Sequence, residues 1–158
     1  MTWGTDRLAA LKAGVGEPPA IVRTLRLGLI DDWGEGWVRK SWSPHPDLAT
    51  ADGSLFGGYL AALADQVLTF AAMTVVPDEM HFRTLNLQVN FVRIARTQPL
   101  DIEAKVVAHT RQMITARAEF RREDGELIAE ASAQQLLMPF DRWPAEKQAV
   151  ESFARLPG

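Results

Sequence analysis

The chain of 158 residues contains no cysteine, which excludes disulfides, a thiol nucleophile and cysteine-ligated metal sites. It also lacks an excess of basic residues, because 17 Lys and Arg stand against 20 Asp and Glu, for a formal charge of −3. The long-range electrostatic field of the chain therefore does not attract a phosphate backbone, and no nucleic-acid partner is expected. Hydrophobic residues make up 47% and charged residues 23%, which predicts a single domain over residues 1–158 with an ordinary buried core.

Signals for export, membrane insertion and metal binding are missing as well. The N-terminal residues do not have the charged-then-apolar layout of a signal peptide. The most apolar stretch, residues 55–76, carries the charge of Asp65 and predicts a buried helix rather than a membrane span. His45, His81 and His109 share no metal-ligand spacing. We therefore expect a cytoplasmic protein with no membrane partner, no metal and no cofactor.

The sequence lacks the motifs of two common classes of nucleotide site and disfavours one class of hydrolase. The sequence contains neither the Walker phosphate loop nor the dinucleotide-binding glycine fingerprint. No serine lies in a Gly-x-Ser-x-Gly elbow, which disfavours a Ser-His-Asp hydrolase.

The periodicity of apolar residues predicts an α+β fold, with one antiparallel sheet wrapped around one long central helix. A short helix is predicted over residues 5–13, with Thr5 as its cap, and two antiparallel strands over residues 20–43. The central helix, about residues 55–76, is apolar or small on every side, which indicates burial. Strict alternation then predicts four strands, built on residues 84–91, 102–106, 114–120 and 127–133. The tail, residues 140–158, has a helical stretch and no predicted chemistry.

Gly57 and Gly58 stand at the predicted start of the central helix. A helix N-terminus offers unpaired N–H groups and a favourable dipole to a carbonyl oxygen on which negative charge develops. Without Cβ atoms, the two residues let a bulky group approach the backbone. The alternative is that both glycines simply allow tight packing after a turn.

Asp65 is the only acidic residue of the central helix, and its neighbours in sequence are apolar. Its charge must therefore be compensated or its pKa raised, and it is a candidate general base or nucleophile. The alternative is a carboxylate that bonds a nearby chain or faces a wet interface. Eight residues of helix place it about 12 Å from Gly57. If both residues act on one carbonyl, two chains of a symmetric dimer must contribute them.

The run from Gly53 to Asp65, GSLFGGYLAALAD, resembles the helix-start signature of hotdog-fold acyl-CoA thioesterases of the phenylacetate-pathway type. That signature is Gly-x-x-His-Gly-Gly followed by an acid seven residues after the second glycine. Three later segments, 90–93, 106–107 and 124–129, resemble strand motifs of the same family in the same order. The similarity spans roughly residues 40–138.

The resemblance implies a hotdog fold, assembly into homodimers or homotetramers, and hydrolysis of a fatty or aromatic acyl-CoA to the free acid and CoA. It also implies roles for Gly57 as a donor to the thioester carbonyl, Asp65 as base or nucleophile, and Thr84 as the hydroxyl that orients water. Phe56 stands where the family has histidine, and Thr50 stands near the position of a carbonyl-polarising asparagine. These departures leave open a non-catalytic hotdog domain that binds acyl-CoA or a related lipid as a sensor or carrier partner.

Coenzyme A enters only as part of the substrate, and its phosphates suit arginine donors. Arg93, Arg96 and Arg111 are predicted to bind it because they stand at strand ends, although most strand arginines are solvated. Asn90 belongs to the polar face of the first long strand, which either faces the site or faces solvent. Phe56 and Tyr59 are predicted to contact the acyl group. The tryptophans of the first hairpin, Trp33, Trp37 and Trp42, either join them or serve ordinary packing.

Overall fold

The structure is a computed structural model that describes residues 2–154. The predicted single domain and tail extend to Met1 and to residues 155–158, which lie outside the described residues. Along the chain the elements are α1 (Trp3–Lys12), α2 (Ala20–Thr24), β1 (Asp32–Gly34), β2 (Trp37–Trp42), α3 (Gly57–Met73), β3 (Met80–Phe91), β4 (Leu100–His109), β5 (Met113–Arg122), β6 (Leu127–Pro139) and α4 (Pro144–Ala154).

The six strands form one antiparallel sheet in the order β1-β2-β4-β5-β6-β3, and α3 packs against it. This confirms the predicted α+β architecture of a sheet around a central helix. β3 follows α3 in sequence but joins the far edge of the sheet beside β6. One side of β3 pairs with β6, and its other side has no strand partner among the described residues.

The core forms where small strand residues face α3. The inward positions of β4, β5 and β6 carry buried alanines, which let the helix axis approach the sheet closely. They are Ala104, Ala116, Ala118, Ala129, Ala131 and Ala133. The helix fills that space with larger buried side chains such as Leu60, Leu63, Val67 and Leu68.

The structure corrects the predicted N-terminal region. α1 begins at Trp3 rather than residue 5, because Thr2 is its cap and Thr5 is the third helical residue of the same reciprocal capping box. Residues Ala20–Thr24 form a short helix where a strand was predicted. Pro19 fixes its own backbone just before this helix, as proline commonly does at helix starts.

The long elements also shift at their ends. α3 covers Gly57–Met73, a shorter span than the predicted 55–76, because Pro77 disfavours helical backbone at the residue before it. β3 begins at Met80 rather than Thr84 and β6 continues to Pro139. The two extensions pair with each other, from Met80 opposite Pro139 onward.

Candidate active site

Asp65 and Thr84 meet where α3 crosses β3. The hydroxyl of Thr84 donates to Oδ1 of Asp65 at 3.2 Å. Thr84 pairs with Gln135, which faces the core, so its side chain lies on the helix-facing side of the sheet. A register shift in β3 follows immediately, between Thr84 and Asn86. Such irregularities re-aim side chains, and here one accompanies the contact of the two predicted site residues.

Asp65 is exposed in the single chain, although Ala64 before it and Val67 after it are buried. Its apolar neighbours in sequence therefore do not enclose it in the single chain. The helix presents Asp65 to Thr84 of the edge strand β3 rather than toward the core. Its one described hydrogen-bond donor is the Thr84 hydroxyl, so one of its two oxygens has no described partner.

The N-terminus of α3 is uncapped. Phe56 occupies the cap position and provides no side-chain acceptor, so the first N–H groups of the helix, those of Gly57 and Gly58, lack intrahelical partners. A Cβ at Gly57 would lie 3.1 Å from Cζ of Phe91, and one at Gly58 would lie 2.6 Å from Cε1 of Phe56. The two glycines therefore let two exposed aromatic rings pack against the helix start, which supports both the packing and the donor interpretation.

Thr50 lies in a hydrogen-bonded loop before this helix. Its hydroxyl contacts Oδ1 of Asp52 at 2.5 Å and Oγ of Ser54 at 2.8 Å. The hydroxyls of Ser54 and Thr50 hold the pKa of the Asp52 carboxyl well below its usual range. Thr50 thus stabilises the loop that leads into α3.

A groove of about 350 Å³ borders the helix start and is lined by Gly57, Leu60, Phe91 and Arg93 among others. Arg93 pairs with Glu126 at 2.7 Å and donates to the Leu127 carbonyl at 2.8 Å. The predicted donor Arg93 therefore lies at the groove, held by partners within the chain.

The other two predicted arginines are placed differently. Arg96 reaches the Asp52 carbonyl at 3.4 Å, in the loop before α3, so it lies near the same helix start as Arg93. Arg111 is exposed in the β4–β5 turn, next to the Gln112 carbonyl that accepts from the N–H of Leu137. Leu137 lies near the end of β6, whereas Arg93 bonds the carbonyl of Leu127 at the start of β6. Arg111 and Arg93 are therefore far apart within one chain.

Tyr59 does not face the site, contrary to prediction. Its side chain is buried, its ring stacks on Trp42 with centroids 5.2 Å apart, and its hydroxyl donates to the Leu25 carbonyl. Trp33 also packs against the core, while the ring of Trp37 lies under the Arg39 guanidinium at 5.1 Å. These placements agree with ordinary packing for the hairpin tryptophans.

The outward face of β3 is polar at Asn90, whose amide donates to Glu130 at 3.2 Å. The same strand exposes a row of large apolar side chains. Leu85 is 59% exposed, Leu87 36% and Phe91 56%. An edge strand that has one side without a strand partner among the described residues and that exposes apolar residues is a surface that another chain can cover.

Sequence reasoning missed two buried polar side chains near this region. His81 and Gln135 are at most 2% exposed, and no polar atom of either side chain has a hydrogen-bond partner among the described residues. The inward alternation of Ala129, Ala131 and Ala133, continued by one more step, would have placed Gln135 in the core. No pattern in the sequence marks His81.

Within the part of the chain that the structure describes, no three His, Asp or Glu side chains cluster as metal ligands would. In the same part, no helix combines the length and apolar character of a membrane span.

The family model of the thioesterase superfamily matches residues 52–129, about half of the chain, which include the helix start, Asp65 and Thr84. None of the curated proteins matches the chain significantly.

Several solved structures share the fold. A phenylacetic acid degradation-related protein from Ralstonia eutropha JMP134 is 24% identical, with a TM-score of 0.73 over 82% of this chain and 98% of its own. A thioesterase family protein from Silicibacter pomeroyi is 24% identical, with a TM-score of 0.72 over 86% of this chain and 98% of its own. A hypothetical thioesterase protein from Streptococcus pneumoniae TIGR4, solved with coenzyme A, is 19% identical, with a TM-score of 0.62 over 70% of this chain and 84% of its own.

Proposed function

We propose that this chain, which belongs to the thioesterase superfamily and has its hotdog fold, hydrolyses acyl-CoA with a medium-chain, long-chain or aromatic acyl group to the free acid and CoA. Membership of the family supports hydrolysis of an acyl thioester in general. The observation that carries the finer proposal is the contact of Asp65 with Thr84 on the edge strand β3.

The uncapped start of α3 supplies one half of the site, the hydrogen-bond donors to the carbonyl oxygen. Negative charge develops on the thioester carbonyl oxygen during attack, and preorganised backbone donors stabilise it. The N–H groups of Gly57 and Gly58 are such donors, and the helix dipole adds to their effect. In this proposal the thioester carbonyl lies against Gly57, at the groove that Phe91 and Leu60 line.

Asp65 supplies the other half. As a general base, its free oxygen takes a proton from water while the water oxygen attacks the carbonyl carbon. The C–S bond then breaks, and the thiolate leaves and is reprotonated. As a nucleophile, the carboxylate instead attacks the carbonyl carbon, and the C–S bond breaks as the thiolate leaves and is protonated. Water then hydrolyses the resulting mixed anhydride to the free acid and the Asp65 carboxylate. In either case the Thr84 hydroxyl holds Asp65 in place at 3.2 Å.

The two halves come together if two copies pair through β3. Phe91 contacts Gly57 and Thr84 contacts Asp65, so the two halves lie at opposite ends of the exposed part of one edge strand. In an antiparallel pairing of two β3 strands, the Thr84 end of one strand lies opposite the Phe91 end of the other. Gly57 of one subunit then faces Asp65 of the second, and symmetry gives two equivalent sites. We therefore propose a homodimer, alone or within a homotetramer.

In this proposal, arginine side chains near the start of α3 bind coenzyme A. Arg93 and Arg96 flank the helix start where the thioester would lie, and guanidinium groups suit phosphates. Arg111 comes near a site only if a second subunit presents it. The Streptococcus pneumoniae neighbour was solved with coenzyme A, which supports a CoA thioester over other carriers.

The first experiment is release of free thiol from short, long and aromatic acyl-CoAs by wild type and Asp65→Asn. Loss of the base or nucleophile is expected to lower kcat by about 10²–10⁴, with acyl-CoA binding retained. Glu123→Gln, which removes a carboxylate from an exposed turn, is the matched control and should keep full activity. An Asp65→Asn protein with wild-type turnover would refute the assignment.

The dimeric site is tested by complementation of two inactive variants, Gly57→Val and Asp65→Asn. In a mixed dimer one site carries both defects and the other carries neither. Random reassembly makes half of the dimers mixed, so a co-refolded equal mixture should regain about a quarter of wild-type activity. If each site belongs to a single chain, the mixture stays inactive.

A non-catalytic acyl-CoA-binding domain is the second candidate, favoured by Phe56. Its ring lies against Gly58, at the position where the family has histidine. This candidate predicts binding of acyl-CoA without thiol release from any member of the substrate panel, whether or not Asp65 is present.

A further inference from the structure

Gln135 buries a complete amide group on the helix-facing side of the sheet. It is 0% exposed, and neither its oxygen Oε1 nor its nitrogen Nε2 has a hydrogen-bond partner among the described residues. Most buried polar side chains in folded proteins have a partner, because an unsatisfied one costs the full free energy of its desolvation. A polar group that is kept in a core at this cost is a candidate for a role in function.

The place of Gln135 in the sheet connects it to the candidate active site. It lies directly opposite Thr84 of β3, whose hydroxyl donates to Oδ1 of Asp65 at 3.2 Å. The other positions next to Gln135 on the same face, opposite it on β5 and two places away along β6, are apolar. They are Ile114, Ala133 and Leu137. Thr84 is therefore the polar neighbour that the sheet provides for this amide.

The side chains of Thr84 and Gln135 are within reach of each other. Directly opposite residues on one face of an antiparallel pair have Cβ atoms about 4.5–5.5 Å apart. The Thr84 hydroxyl is bonded to its Cβ, whereas two C–C bonds and one C=O bond place the glutamine Oε1 about 3–4 Å from its own Cβ. A change in the side-chain torsions of Gln135 therefore brings Oε1 within hydrogen-bond distance of the hydroxyl, with no movement of the backbone.

The proposed reaction changes which acceptor suits the Thr84 hydroxyl. In the resting site Asp65 is a carboxylate, and a hydrogen bond to an ionised acceptor is stronger than one to a neutral amide. Asp65 loses its charge in both routes, when it takes a proton from water or when it forms the anhydride. Its Oδ1 is then a neutral acceptor, and the hydroxyl gains by turning to Gln135, whose buried oxygen has no other partner among the described residues.

We propose that Gln135 is a positioning residue that accepts a hydrogen bond from Thr84 while Asp65 is uncharged. No proton leaves Thr84, because its O–H bond only rotates toward Gln135 and returns when the carboxylate forms again. This hydrogen bond is absent from the resting site and gains strength as Asp65 loses its charge, so it stabilises the transition state selectively and raises kcat. The inference rests on the proposed thioesterase function and adds a residue to that site.

The first test measures kcat and KM of Gln135→Met with the acyl-CoA that wild type hydrolyses fastest. The substitution removes the amide and keeps the length of the side chain. Loss of about one net hydrogen bond should lower kcat about five- to tenfold and leave KM unchanged. Gln134→Met makes the same change at the adjacent, exposed position of β6, and this control should keep both constants.

A double-mutant cycle shows whether Gln135 acts through Thr84. In a Thr84→Val protein, which has no hydroxyl to bind, Gln135→Met should leave kcat unchanged. A loss of kcat as large in that background as in wild type, or a loss that appears in KM, would show that the positioning role is wrong. Gln135→Leu also removes the amide and should give the same result, which keeps the test open if the methionine variant does not fold.

A second test follows the hydroxyl without turnover. Asp65→Ala removes the carboxylate acceptor at an exposed position, so the Thr84 hydroxyl should bond Gln135 in that variant. Gln135→Met should raise the urea midpoint of wild type, because it removes an unsatisfied amide. In Asp65→Ala this rise should be lost or reversed, because the same substitution now removes a hydrogen bond. A rise of equal size in the two backgrounds would overturn the movement of the hydroxyl.

The two tests separate this inference from the hydrolase proposal. If wild type releases thiol from no acyl-CoA, the hydrolase is refuted, and the urea midpoints alone decide whether Thr84 turns to Gln135. If wild type hydrolyses an acyl-CoA and Gln135→Met keeps the full kcat, the role of Gln135 is overturned and the hydrolase stands.

Discussion

Lys40 is a buried cation without a carboxylate partner at hydrogen-bond distance. It lies on the inward face of β2, between Val38 and Trp42, and is 2% exposed. Its ammonium donates to the Leu27 carbonyl and, at 2.7 Å, to Oε1 of Gln66 on α3. Both acceptors are neutral, so the desolvation of the charge is only partly offset.

Burial lowers the pKa of Lys40 from 10.5 to about 8. Between these values the unfolded chain binds more protons than the folded chain, so the free energy of unfolding rises with pH. Below about pH 8 the lysine is charged in both states and the full penalty is present. A difference of about 2.5 pKa units corresponds to about 3 kcal/mol, which the folded protein regains as pH increases to 10.5.

Lys40→Met removes this titration while keeping a side chain of similar length. Urea unfolding followed by tryptophan fluorescence, from pH 7 to pH 10.5, gives the difference in unfolding free energy between wild type and variant. This difference should move in favour of wild type by about 3 kcal/mol over that range, whereas the hydrogen bonds lost in the variant add an offset that does not depend on pH. Lys105→Met, at an exposed lysine on β4, should give a flat difference. A flat difference for Lys40→Met as well would refute the reasoning.

The remaining predictions concern packing. Gly4 on α1 is buried against the end of α3, where a Cβ would overlap the Met73 carbonyl, so Gly4→Ala should lower the free energy of unfolding by about 1–3 kcal/mol, and an unchanged urea midpoint would contradict this placement of α1. Gln135 buries an amide without a partner among the described residues, so Gln135→Met should raise the free energy of unfolding by about 1–2 kcal/mol. Destabilisation instead would mean that the amide is hydrogen-bonded in solution.

The strands were predictable because inward and outward residues alternate strictly. Positions 102–106, 114–120 and 127–133 each repeat a small or apolar residue at every second place, and the buried faces of β4, β5 and β6 follow that repeat. Residues Ala20–Thr24 were not predictable in this way. Five residues do not complete two helical turns, so an apolar run of that length fits a helix or a strand equally well.

The candidate site was predictable only where local geometry determines it. Helix geometry alone separates Gly57 from Asp65, and the structure brings two of the predicted residues, Asp65 and Thr84, into contact. The exposure of Asp65 and the burial of Tyr59 depend on which side of α3 the sheet covers. That is a tertiary property, and a helix that is apolar on all sides gives no stripe from which to derive it.

Lys40 also helps to determine how α3 is rotated about its own axis, and so which of its sides the sheet covers. An all-apolar helix can be turned about its axis with little change in hydrophobic burial, so polar contacts must select the setting. Gln66 makes two of them: its oxygen accepts from Lys40 at 2.7 Å, and its amide donates to the Gly28 carbonyl at 2.8 Å. These bonds fix the β2 side of α3. Successive helical residues project about 100° apart, so anchoring Gln66 there directs its neighbour Asp65 away from β2, toward the open edge where Thr84 lies. The cost of burying Lys40 is thus linked to the position of the proposed catalytic carboxylate.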